Sequence, residues 1–177
     1  PSQIHASTVR AGAPSGSRSA STAAAAAPDE APPAWRDRLA WVALPAIAST
    51  LLLAVTNQIC QELAVIPFLW VLPLTLYLLT FIICFDNPAW YSRYIYLPAL
   101  LLALPLVALV LTRPLDTPMR LQITVYVVAL FVCCMFCHGE VVARRPHPKH
   151  LTAFYLAISI GGAVGGLFVG LLAPLVF

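Results

Sequence analysis

The sequence predicts an all-α fold: a polytopic transmembrane bundle of about five helices behind an extended N-terminal tail. Three observations predict it. Hydrophobic residues make up 60% of the 177 positions and charged residues only 10%, against about 25% charged in ordinary soluble domains. The apolar residues come in blocks of about the 20 residues that a spanning helix needs, not at amphipathic spacing. Strands are excluded in those blocks, because an open strand would leave backbone polar groups bare in lipid.

Residues 1–38 are rich in Ala, Ser and Pro, a composition that cannot bury a core, and are expected to form an extended tail. They hold no apolar h-region of a secretory signal. Residues 39–177 form the transmembrane domain, with apolar blocks at 39–57, 63–85, 94–112, 121–138 and 151–177. Prolines 45, 67, 73, 98, 105 and 174 fall inside these blocks and are expected to shape their helices.

The net charge of +3 is too small for a nucleic-acid footprint. The basic residues instead flank apolar blocks and act as topology signals. With a cytoplasmic N-terminus, Arg36, Arg38, Arg93, Arg144, Arg145 and Lys149 lie inside, and Arg113 and Arg120 outside. Trp35, Trp41, Trp90, Tyr91 and Tyr94 suit membrane interfaces.

Four constellations could carry chemistry. Cys134, Cys137 and His138 spell C-x-x-C-H, the pattern of c-type haem attachment. Its place at the cytoplasmic end of an apolar helix argues against haem c, and Cys in such a helix behaves as a small hydrophobe. Cys134 and His138 share a helix face, as do Cys133 and Cys137, and such ligands suit zinc or copper(I). An unliganded helix end with His138 at the headgroups is the preferred reading, so no cofactor is expected. The polar run from Thr56 to Glu62 reads as an outer loop, in which Asn57, Gln58, Gln61 and Glu62 could line a pocket. Arg144, Arg145, Lys149 and His150 form a basic loop suited to anionic lipid headgroups and to a positive-inside anchor. Gly161, Gly162, Gly165, Gly166 and Gly170 build GxxxG pairs that let another helix backbone approach closely, from this chain or another. No Walker A, GxSxG, HExxH or paired-carboxylate site is present.

Residues 51–93, with FLWVLPLTLYLLTF and CFDNPAWYSR, and residues 137–177, with CHGE and HLTAFYLAISIGGAVGGLF, resemble segments of bacterial fused MFS-like/spermidine-synthase-like integral membrane proteins. The resemblance spans about residues 39–177. It implies a bacterial inner membrane location. It also implies a structural role for Cys137 and His138 within CHGE. The family's soluble synthase-like domain, with its glycine-rich loop and catalytic acid, has no counterpart in this sequence, so no enzyme activity is expected of it. The expected function is a non-catalytic membrane subunit or scaffold, with membrane lipids and other membrane chains as partners. The alternative is part of a transport or substrate-delivery module for a polyamine-type enzyme. A cation path would then draw on Glu62, Asp86, Trp70 and Tyr77.

Overall fold

A computed structural model describes residues 34–62, 68–113 and 118–176, and among them there is no strand. The helices are α1 (Trp35–Glu62), α2 (Val71–Asp86), α3 (Arg93–Thr112), α4 (Met119–Ala143) and α5 (Leu151–Leu167). A π-helical turn, Phe168–Leu172, and the short α6, Ala173–Val176, extend α5. Short 3₁₀ turns at Pro88–Trp90 and Pro148–His150 precede α3 and α5.

Several boundaries differ from those the sequence predicts. α1 starts at Trp35, so residues 35–38 of the expected tail form its first turn; residues 1–33 lie outside the described part. α1 also runs on through the polar run read as a loop. No Gly or Pro interrupts it there, and Thr56 Oγ1 donates to the Leu52 carbonyl at 2.6 Å. α4 continues past His138 to Ala143, which places His138 inside the bundle instead of at its edge. The last block is broken by the π turn before Pro174: the Ala173 N–H reaches the Phe168 carbonyl, and Pro174 has no N–H to restore the α ladder.

α4 is the hub. Of its apolar window 67% is buried, against 17% or less in the other three long apolar helices. α1, α2 and α3 pack on α4, and α5 packs on α1. Three buried layers run along the axis. Trp41, Val141 and Phe154 form one end. Ala48, Leu130, Cys134 and Cys137 form the middle. Ile59, Val110, Val125 and Tyr126 form the far end. α2 runs from the far layer, where Leu69 packs just before it, to the first layer, where Phe85 packs. Outward faces stay apolar and exposed, as at Leu101, Leu102, Leu156 and Leu171. Four of the five main helices are long and apolar enough to cross a membrane; α2 is shorter.

The glycines of α5 divide into two rows. A Cβ on Gly161 would strike the Val42 carbonyl, and one on Gly165 the Ala46 carbonyl. These two therefore let α5 sit directly on the α1 backbone, as small residues do between membrane helices. Gly162, Gly166 and Gly170 meet nothing within 4 Å among the described residues. One row of the expected packing set is thus used inside the chain, and the other faces outward.

Candidate functional site

The end of the bundle where α1 and α5 begin and α2 and α4 finish carries the charged chemistry. Glu140, on the last turns of α4, has a side chain only 6% exposed. Tyr91, in the connection between α2 and α3, donates its hydroxyl to Glu140 Oε1 at 2.7 Å. Arg93, at the start of α3, brings Nε within 3.6 Å of the same oxygen. Arg144 donates to Oε2 and also, at 2.8 Å, to the Glu140 carbonyl. That second bond satisfies one of the orphan carbonyls at the α4 terminus. Trp41 of α1 closes the same terminus by donating Nε1 to the Arg144 carbonyl at 2.9 Å.

Gly139 makes room for this arrangement. A Cβ there would collide with the Tyr91 ring, so the ring lies flat on the α4 backbone. Burial, and then the Glu140 carboxylate at its hydroxyl, raise the Tyr91 phenol above the ordinary tyrosine value. Tyr91 therefore stays protonated and remains the donor.

Beside the cluster, α1 and α4 border a groove of about 480 Å³. Trp35, Arg36, Arg93, Glu140 and Arg144 line its charged part. Leu39, Ala40, Ala43, Leu44 and Phe136 line the apolar part.

His138 points to the opposite side, toward α2. Tyr77 and Phe81 meet its ring edge-on, with centroids at 4.9 and 5.3 Å. Thr80 Oγ1 donates to the Tyr77 carbonyl at 2.9 Å and lies 3.1 Å from His138 Nδ1. The Thr80 proton is then already placed, which assigns the donor role to Nδ1. Nε2 has no hydrogen-bond partner among the described residues.

The C-x-x-C-H residues thus sit in packed interior. Cys134 and Cys137 are buried against Ala48 and Leu130, and His138 is 2% exposed. Among the described residues no group of three His, Cys, Asp or Glu is placed to hold a metal ion.

The basic loop is split. Arg144 turns inward to Glu140, while Arg145 and Lys149 are exposed. His150 lines a shallow cleft with Arg38 and Trp41. Among the described residues, the side chains of a cation path are not brought together. Trp70 and Asp86 lie at opposite ends of α2, and Tyr77 packs on His138. The side chain of Glu62 lies outside the described part.

Sequence reasoning gave Tyr91 only an interfacial place and assigned no role to Gly139 or Glu140. A usable signal was present: an ionisable residue inside an apolar helix marks a site by default, and it needs a named partner.

The architecture is that of a multi-pass α-helical membrane protein. No family model, no curated protein and no solved structure matches the chain.

Proposed function

We propose that the chain is a non-catalytic integral membrane subunit or scaffold that packs within a larger membrane complex. The observation that carries this reading is the outward glycine row, Gly162, Gly166 and Gly170, on a helix whose sister row already holds α1. A second GxxxG face without an internal partner among the described residues suits a helix from another chain. The polar side chains support the same reading. Glu140 is engaged by Tyr91, Arg93 and Arg144, and the His138 Nδ1 is engaged by Thr80. Those groups serve packing.

The distribution of Lys and Arg favours a cytoplasmic N-terminus, with Arg36, Arg38, Arg93, Arg144, Arg145 and Lys149 on the inner side. The resemblance of residues 51–93 and 137–177 to the membrane region of fused MFS-like/spermidine-synthase-like proteins supports a bacterial inner membrane location.

The test is gentle solubilisation of native membranes followed by native and denaturing mass measurement. The expected result is stoichiometric recovery inside a larger particle, and loss of the partner in Gly166→Leu. Recovery only as a free monomer would overturn the reading.

A further inference from the structure

We propose that the groove between α1 and α4 binds one anionic phospholipid, with its phosphate at the arginines and one acyl chain along the apolar part. The inference needs only that the bundle is membrane-embedded; it does not depend on the scaffold role.

The argument begins with charge. Arg36, Arg93 and Arg144 line the groove, against the single carboxylate of Glu140. That carboxylate is already engaged. Oε1 accepts from Tyr91 and faces Arg93, and Oε2 accepts from Arg144. Three guanidinium groups and one neutralised carboxylate leave an excess of two positive charges at the mouth. Arg93 approaches Glu140 through Nε, and its side chain is 62% exposed, so its terminal nitrogens are presented to a ligand. Arginine forks match phosphate oxygens geometrically.

The second argument is shape. Directly below the arginines the lining turns apolar, with Ala40, Ala43, Leu44 and Phe136. The two alanines of α1 open a channel along the helix. A free phosphate or an acidic peptide would satisfy the arginines and leave this channel unfilled. A phospholipid satisfies both parts at once. The volume of about 480 Å³ is within the range of ligand clefts, enough for a headgroup and the upper part of one chain. Trp35, 73% exposed at the rim, supplies the amphipathic ring expected at headgroup level.

The test uses the full chain reconstituted in phosphatidylcholine vesicles with a minor share of phosphatidylglycerol, then extracted in mild detergent. Native mass spectrometry counts the retained lipid. The expected result is one phosphatidylglycerol per chain, retained at least tenfold over phosphatidylcholine. Arg36→Gln, which removes a phosphate contact, and Ala43→Phe, which fills the acyl channel, each lower retention about tenfold. Circular dichroism checks that both variants keep their helix content. If Ala43→Phe does not fold, Ala40→Leu takes its place. Equal retention of both lipids overturns the proposal. So does a loss confined to Arg36→Gln, which would make the contact a surface one. A photocrosslinker at position 40 that captures peptide instead of lipid also overturns it.

Discussion

Glu140 holds the C-terminal end of α4 to two other parts of the chain, through Tyr91 and through Arg93. Its side chain is almost entirely enclosed, whereas Arg93 and Arg144 can still reach solvent. Removing the carboxylate therefore leaves two cations that water can partly rescue, and a phenol without an acceptor. Glu140→Ala is expected to lower stability by about 2 kcal/mol, less than for a fully buried pair. Glu140→Gln keeps an acceptor for Tyr91 and is expected to lose about half of that. Unfolding in mixed micelles measures both. Tyr91 gives a pH signature. Its phenol is raised in the fold above the unfolded value of about 10. Its contribution is fully present below that value and is lost as pH rises through the folded one. The melting difference between wild type and Tyr91→Phe should be constant up to about pH 9 and shrink above about pH 10. A difference that changes between neutral pH and pH 9 would show another group at work.

α5 carries two glycine rows with opposite fates, and side-chain insertion separates them. Gly161→Leu and Gly165→Leu would drive a side chain into the Val42 and Ala46 carbonyls. Neither carbonyl can retreat without moving α1, so each variant is expected to cost about 2 kcal/mol or more. Gly162→Leu and Gly166→Leu meet open space among the described residues and should leave the isolated bundle's melting unchanged. Equal destabilisation by both pairs would mean that α5 is rotated from this packing. Gly139 belongs to the first kind, since its Cβ would displace the Tyr91 ring. Gly139→Ala is expected to weaken the Glu140 cluster as well as the packing. The hydroxyl-bearing residues follow membrane logic. Thr56, Thr75, Thr124 and Ser159 donate to carbonyls four residues back, which satisfies these hydroxyls within their own helices.

Across the whole molecule the chain must return to its starting end before α3. Arg36 of α1 and Arg93 of α3 line one groove, so α2 carries the chain back along the bundle. With 16 residues, α2 spans about 24 Å at helical rise, short of a hydrocarbon core of about 30 Å. The turn residues 68–70 help make up the length. Cysteine labelling from either side of the membrane checks the topology. Labels at Ser92 and His147 should react from one side, and a label at Arg120 from the other. A label at Gln61, before α2, should also react from the Arg120 side; one that reacts together with Ser92 would place α2 outside the membrane.

Composition and block length alone determined the helical class and the order of the apolar segments. Those properties are local: a run of about 20 apolar residues has no other way to satisfy its backbone in lipid. The glycine set was legible as a packing motif, but its division into an inner and an outer row was not. That division depends on the rotation of α5 about its axis, set by contact with Val42 and Ala46 over a hundred positions away. The Glu140 site was hidden for the same reason. Tyr91, Arg93 and Glu140 belong to different elements, and only the packing of α2, α3 and α4 brings them to one carboxylate. Likewise the spacing of Cys134, Cys137 and His138 suggested a ligand set, and burial against α1 and α2 made it interior. Segment identity follows from transfer into lipid, residue by residue, whereas a site is a meeting of side chains that only tertiary packing can arrange.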